Sequence, residues 1–393
     1  MSHKEIIIDL PEEKASRAEL EKRTDAEALR MKRFLDMPDL SRTSDSPLHE
    51  IVQKALATKS LDGLDIIKIP EIVPAHITFD LFNMPPGHPA RSKSDTYYVN
   101  DENILRTHDT VFWYYYLSQP EIQEKIKRNE AFGALCFGKV YRKDEIDSRH
   151  MNVFHQFGGA WFAPMDGLDS AGSPLADKAA MGLKWQEELK RVLTDVSHHL
   201  FGGEVKNRFN PDNFPYTDPS MEMEIEKDGK WLEMLGCGVP RESVLKNFGV
   251  ENYTGWAFGF GLERLAMVGM QLPDIRLLWS TDERVKKQLK LGTVYKEVSK
   301  YPAITRDISF IVPKNFVPNN YFDLIRDIVG DLAEEVTLLD KFENDKKFGA
   351  DKMSYTYRIV YRSLERTLKT EEVEPLQNKI IEETKNQFGA EIR

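Results

Sequence analysis

The chain has 393 residues, 41% hydrophobic and 30% charged, which suits two or three packed domains and excludes wholesale disorder. Its 64 acidic and 54 basic side chains leave a formal charge of −10. That excludes a generic polyanion binder relying on many phosphate contacts, though not a nucleic-acid partner gripped by a local patch. Two cysteines, Cys136 and Cys237, are too few for a disulfide framework or a zinc cluster.

No apolar run approaches the roughly 20 residues of a membrane helix, so no membrane partner is expected. Glu5, Asp9, Glu12 and Glu13 make the N-terminus unlike a secretory signal or an acid-poor organellar presequence, and the expected location is cytoplasmic, with a mature mitochondrial form left open.

In chain order, residues 1–47 read as a charged helical arm and linker. Pro11 to Met37 is rich in helix formers with sparse apolar positions (Leu20, Leu29, Phe34, Leu35), the pattern of a solvated helix. Pro38 to Pro47 has a linker composition. Residues 48–282 form a mixed region with dense turn signals such as Pro85-Pro86-Gly87 and Phe201-Gly202-Gly203. Residues 283–300 read as a short charged linker.

Residues 301–393 are more regular. Ile304, Ile308, Phe310 and Val312 share one parity, the mark of a half-buried strand, and Tyr355, Tyr357, Ile359 and Tyr361 repeat it. Helical spacing runs over 320–332 and 371–388, a second strand over 336–342, and a few residues remain for a last one. The order βαββαβ is the ferredoxin-like arrangement, and the fold class is α+β.

Three stretches of the middle region carry chemistry. Val140 to Asp147, followed by Phe154-His155-Gln156, sets a guanidinium at Arg142 near an aromatic face; arginine clamps phosphate bidentately. Gly255 to Ala266 runs a glycine-rich strand into a helix whose start bears Arg264. Phe214-Pro215-Tyr216-Thr217-Asp218-Pro219 precedes Trp231 to Gly238, where Glu233 interrupts an apolar strand and needs a cation, a metal or a donor. Singly, each is compatible with a salt-bridged surface, a strand–helix junction or core packing.

In sequence and order, the three resemble motifs 2 and 3 of the class II aminoacyl-tRNA synthetases, specifically the phenylalanyl-tRNA synthetases. Gly87-His88-Pro89-Ala90-Arg91, Leu105-Arg106-Thr107-His108 and Tyr301 to Phe310 add to the likeness, which covers roughly Pro85 to the C-terminus. The resemblance implies an antiparallel catalytic sheet flanked by helices, fused to a ferredoxin-fold anticodon-binding domain, as in the single-chain, organellar-type enzymes. It implies ATP-dependent activation of phenylalanine, transfer to tRNA(Phe), Mg2+ as cofactor and a monomer without a second subunit. The N-terminal arm is left as packed, mobile or in contact with tRNA.

By matching motif positions, Arg142 and Arg264 are the expected catalytic residues. Arg142 would hold the α-phosphate and the substrate carboxylate. Asp144 and His150 would serve ATP, and Phe154 with Arg264 would sandwich adenine. Glu233 and Asp218 are the carboxylates offered to magnesium. Phe214 and Tyr216 would line the ring pocket over Ala257 and Gly259, with His108, Thr110 and Gln156 at the ammonium and carboxylate end.

Two departures stand out. The family commonly reads Thr-Ser after the histidine, where His108 is followed here by Asp109-Thr110, and it commonly has a glutamate where this chain has Gly158. Asp109 is read either as a replacement partner for the substrate ammonium or as an ordinary N-cap of the following helix. Tyr216 stands where the family usually has phenylalanine. Rival readings are a synthetase-like protein that binds tRNA without catalysis and an enzyme tuned to another amino acid. Lys352, Arg358, Arg362, Arg366 and Lys369 form a basic run, either solvated or touching tRNA phosphates.

Overall fold

The computed structural model describes residues 3–165, 178–203, 205–227, 229–298, 301–349 and 351–393; residues 299–300, the end of the expected linker, lie outside it. The chain divides into two compact units. Met1–Arg91, Thr96–Tyr141 and Val153–Gly269 form the first, and Ser92–Asp95, Arg142–Asn152 and Met270–Arg393 the second. Among the described residues no helix is long and apolar enough to cross a membrane.

Among the described residues the first unit has ten strands: β1 (Glu5–Ile7), β2 (Asp65–Lys68), β3 (Ile72–Pro74), β4 (Asn103–Leu105), β5 (Phe132–Tyr141), β6 (Val153–Pro164), β7 (Asn207–Asp212), β8 (Thr217–Lys227), β9 (Lys230–Pro240) and β10 (Tyr253–Gly261). Eight form one sheet in the order β1-β2-β5-β6-β10-β9-β8-β7. Only β1–β2 and β2–β5 pair in parallel; the rest is antiparallel. Every residue of β5 is buried, which explains its unbroken apolar run. On one face Phe137, Phe157, Phe258 and Phe260 form a ladder, with Phe157 5.1 Å from Phe260 and 5.9 Å from Phe137. The alternating positions face the other way and are small, and that face carries the candidate site.

The N-terminal residues differ from the expected solvated helix. They form two helices, Pro11–Lys22 and Ala26–Asp36. Leu20, Ala28, Met31, Phe34 and Leu35 join a core cluster with Tyr97, Leu105, Tyr141 and Val153, while Leu29 stays exposed. Asp25 caps the second helix by accepting from Ala28 N–H at 3.0 Å. The buried Lys139 ammonium closes its other end, donating to Phe34 O, Leu35 O and Met37 O at 3.3, 2.9 and 2.7 Å. A cation there complements the helix dipole, so a strand of the main sheet holds the arm in place.

The second unit contains β11 (Ile304–Pro313), β12 (Ala333–Phe342), β13 (Lys352–Tyr361) and β14 (Glu391–Ile392), in the order β12-β13-β11-β14 and antiparallel throughout. Helices Pro318–Val329 and Thr370–Phe388 cover one face. Fourth–first–third–second with two covering helices is the ferredoxin-like topology expected from the parity of Ile308, Phe310, Tyr355 and Tyr357. Ile146, from the Arg142–Asn152 segment, is buried in the same core. Asn319 Nδ2 donates to Lys143 O at 2.8 Å, Arg326 Nη2 to Glu145 O at 2.7 Å, and Asn152 Nδ2 to the buried Asp323 at 3.0 Å.

Candidate active site

Cross-strand register builds the floor of the site. One row runs Cys136, Gly158, Gly259, Gly236 across β5, β6, β10 and β9. The row beside it runs Ala134, Ala160, Ala257, Gly238. Residues directly opposite in a ladder share a face, so eight adjacent positions carry nothing larger than a cysteine. The result is a flat strip of backbone in the middle of a sheet.

Two groups overhang the strip. Asp109, 2% exposed, lies over Gly158 and Gly259. A Cβ added at Gly158 would overlap Asp109 Oδ2 and stand 2.9 Å from its Cγ, while one at Gly259 would stand 3.6 Å from Oδ1. At the β9 edge a Cβ on Gly236 would stand 2.8 Å from Phe214 Cζ. Phe214 stacks on Tyr216 (5.9 Å, 10°), and Tyr216 on His108 (6.4 Å, 22°). Trp113 and Phe82 meet Tyr216 edge-on at 6.2 and 6.0 Å. The strip thus has a carboxylate over its two middle strands and parallel rings over its β9 edge.

Asp109 is the first residue of a 3-10 turn, Asp109–Val111, whose N-cap position is His108. The capping role considered for Asp109 therefore does not apply; its carboxylate faces the sheet. Its backbone N–H donates to Gln156 Oε1 at 2.9 Å, fixing the turn that also carries Thr110. His108, Asp109, Thr110, Gln156, Phe214, Tyr216, Ala257 and Gly259 are thus gathered around one face.

Further along that face the residues change character. Phe154 shares the parity of Gly158 and lies about 13 Å up β6 at strand rise. Arg264 follows the end of β10 and pairs with Glu233 at 2.7 Å, both half-exposed. Leu235 faces Met223 and Glu233 faces Glu224, leaving Met234 as the extra residue of a bulge. The acid that interrupts an apolar strand therefore meets its cation at the surface.

Asp218 is elsewhere. It pairs with Arg241 at 3.1 Å and sits six residues along β8 from Glu224, about 20 Å from the Glu233 position. The expectation that Glu233 and Asp218 serve one magnesium ion is corrected by this register. Among the described residues no cluster of three or more His, Cys, Asp or Glu side chains is placed to hold a metal.

Arg142, Asp144 and His150 belong to the second unit. Arg142 is exposed, and its N–H donates to Asn152 O at 3.0 Å. His150 is held by Asp147, whose Oδ2 lies 2.8 Å from Nδ1 and whose Oδ1 accepts from His150 N–H at 2.8 Å. Burial pushes the Asp147 carboxyl up, but the Arg149 N–H and the bonds to His150 outweigh it and hold the group below its ordinary range. In the same unit the basic run is largely neutralised. Lys352 pairs with Glu391, Arg358 with Asp307 at 2.7 Å, Arg362 with Glu334 at 2.9 Å and Arg366 with Glu372 at 2.5 Å. These pairs favour solvated faces over ready-made phosphate contacts.

Gly158 was noted from sequence only as a missing glutamate, and Gly236, Gly238 and Ala160 gained no role, because their meaning depends on strand pairing. The same holds for His155 and Glu263, a fully buried pair at 2.6 Å. A separate cavity of about 520 Å3, lined by Arg42, Glu71, Arg106 and Lys139 among others, contains none of the candidate residues. Arg106 there donates to Lys139 O and Ile69 O, a structural role.

Residues 35–167 and 181–289 match the family described as tRNA synthetases class II core domain (F), and residues 299–393 match the ferredoxin-fold anticodon binding domain. This is a class II aminoacyl-tRNA synthetase core joined to an anticodon-binding domain. The chloroplastic/mitochondrial phenylalanine–tRNA ligase of Arabidopsis thaliana is 43% identical, over 82% of this chain and 71% of that protein. The mitochondrial enzymes of Mus musculus and Saccharomyces cerevisiae are 38% and 33% identical, over 83% and 88% of this chain and 74% and 87% of theirs. The chain belongs to the phenylalanine–tRNA ligase family.

Proposed function

We propose that this chain condenses phenylalanine with ATP to the aminoacyl-adenylate and transfers the aminoacyl group to tRNA(Phe). The observation that carries the substrate assignment is the bare strip between a buried carboxylate and stacked rings. It offers a counter-charge to an ammonium, aromatic walls to a benzyl group and no side chain in between. In this reading Asp109 takes the ammonium, Gln156 holds the Asp109 turn by its backbone, and Phe214 and Tyr216 flank the ring over Ala257 and Gly259.

The substrate carboxylate attacks the α-phosphorus of ATP in line and expels pyrophosphate. The tRNA terminal hydroxyl then displaces AMP from the acyl carbon. Neither step needs a protein nucleophile, so positioning and charge neutralisation supply the catalysis. Arg142 is assigned to the α-phosphate, Phe154 and Arg264 to adenine, Asp144 and His150 to the remaining contacts with ATP. For magnesium, the carboxylates that would fit beside the phosphates are Glu233 and the Glu224 opposite it in the ladder, and no step is assigned to it.

The relatives from Arabidopsis, mouse and yeast are chloroplastic/mitochondrial or mitochondrial by name, which favours an organelle over the cytoplasm. Fusion of core and anticodon-binding domain in one chain favours a monomer. ATP–pyrophosphate exchange across the amino acids, followed by charging of purified tRNA, tests the reading. Phenylalanine-dependent exchange and charging support it. Exchange with no amino acid would point to a tRNA-binding protein, and preference for a non-aromatic one to an altered specificity.

A further inference from the structure

Behind the face that carries Phe154 and Gln156, the imidazole of His155 is completely buried and the carboxylate of Glu263 is 3% exposed. Both Glu263 oxygens accept from the His155 backbone N–H, at 3.0 and 2.9 Å, and Oε1 lies 2.6 Å from Nδ1. On the other side of the ring, Leu40 N–H donates to Nε2 at 2.9 Å. A backbone amide has only a proton to give, so Nε2 is the acceptor and Nδ1 carries the hydrogen that goes to Glu263. Asp39 Oδ1, 3.5 Å from Nε2, also faces the ring. One imidazole therefore fastens β6, the start of the Leu262–Met270 helix and the segment after the N-terminal helices.

The neighbours of this pair give it a role in catalysis. Phe154 immediately precedes His155, and Arg264 immediately follows Glu263. Each proposed adenine contact is one Cα–Cα step, about 3.8 Å, from a residue in the bond. A carboxylate that grips both the main chain and the ring of its partner leaves little freedom for these two steps. Dry surroundings strengthen the grip and penalise a lost partner.

We infer that the His155–Glu263 pair is a positioning device that sets the separation between the Phe154 ring and the Arg264 guanidinium, and through it the affinity for ATP. The inference rests on the reading that these two groups hold the nucleotide. His155 and Glu263 touch no substrate; they act through their neighbours in sequence. The pair acts mainly on the nucleotide side: Phe214 and Ala257 hang from other bonds, and the Asp109 turn is linked to it only through Gln156, whose Oε1 accepts from Asp109 N–H at 2.9 Å.

The test is titration calorimetry of the full chain with ATP alone and phenylalanine alone, in His155→Asn, His155→Gln and Glu263→Gln. Asparagine reproduces the Nδ1 donor to Glu263, whereas glutamine reaches the Nε2 position and abandons it. The expected result is an ATP Kd raised at least tenfold in His155→Gln and Glu263→Gln but under threefold in His155→Asn. Phenylalanine Kd, which the pair reaches only through Gln156, should rise less than threefold in all three.

Should Glu263→Gln fail to fold, the two His155 variants still decide. Equal ATP affinities in them, or equal loss of both ligands, overturns the positioning role. Failure of both to fold overturns it as well, since the pair would then hold the core rather than the clamp. Wild-type protein that binds no ATP sinks the underlying assignment of Phe154 and Arg264, which separates the two failures.

Discussion

Gly259→Ala is the sharpest perturbation of the proposed phenylalanine site. The added methyl meets only Asp109 Oδ1, at 3.6 Å, an ordinary contact, and the strand conformation there suits an L side chain. Removing a glycine where alanine fits stabilises by about 0.4–1 kcal/mol through the unfolded chain, so the melting temperature should stay level or rise slightly. The methyl nevertheless stands on the floor between the carboxylate and the rings, where the substrate would lie. A group the size of one methylene is worth about 1–3 kcal/mol in a tight pocket, or roughly 10–200-fold. Pyrophosphate exchange should show KM for phenylalanine raised by at least about tenfold, with KM for ATP within about twofold. A folded variant with unchanged KM for phenylalanine would refute the placement of the substrate on this strip.

Asp109→Asn should raise KM for phenylalanine by roughly 10–150-fold, the equivalent of one charged hydrogen bond at about 1.5–3 kcal/mol, again with KM for ATP little changed; an unaltered KM argues against the ammonium assignment. Gly158→Glu alone should abolish amino-acid binding, because its first side-chain atom overlaps Asp109. Adding Asp109→Thr should restore measurable binding, and strictly additive effects of the two changes would deny that they are coupled. Tyrosine should be activated with a preference for phenylalanine of only about a hundredfold, since an apolar pocket rejects one hydroxyl poorly; a ratio near 10⁵ would require a dedicated hydrogen bond. Burial lifts the Cys136 thiol from 9.0 to about 12 and raises Cys237 as well. Neither should react with Ellman's reagent at pH 8 in the native protein, and both should after denaturation. Because the folded values lie above the unfolded ones, this contribution to stability is intact below pH 9 and is lost as pH rises toward 12.

The ferredoxin-like unit was legible because one face of its sheet is buried and the other is not. Parity alone identified β11 and β13, and a slip of one residue would have turned Phe310 and Tyr357 outward. The helix expected over 320–332 is Pro318–Val329, with a 3-10 turn over Gly330–Leu332 completing it. The N-terminal residues were misread for the opposite reason. Met31, Phe34 and Leu35 sit among charges that composition reads as solvated, and only the partner cluster around Tyr97 and Leu105 shows that they are covered. Glu233 was expected to need a cation, a metal or a donor because of the apolar strand around it, yet it is half-exposed and pairs with Arg264. Which cation depended on a bulge at Met234 that no local pattern announces.

The site itself shows where single-strand reading stops. Gly158, Gly236 and Gly259 lie in three strands far apart in the chain, and each alone resembles a glycine that merely eases a close approach. Register makes them adjacent, and adjacency makes them a floor. Asp109 gives the same lesson from the other side. In sequence it precedes a helix and fits a cap, yet its carboxylate fills the space a side chain at 158 would need. The glycine at 158 and the aspartate at 109 are therefore one feature seen twice. Where the family commonly has a glutamate on the strand, this chain carries an acid on the turn above it. A reading of either residue alone finds a lost charge or a gained one. The pair keeps one negative charge over the middle of the strip, where an ammonium would need it.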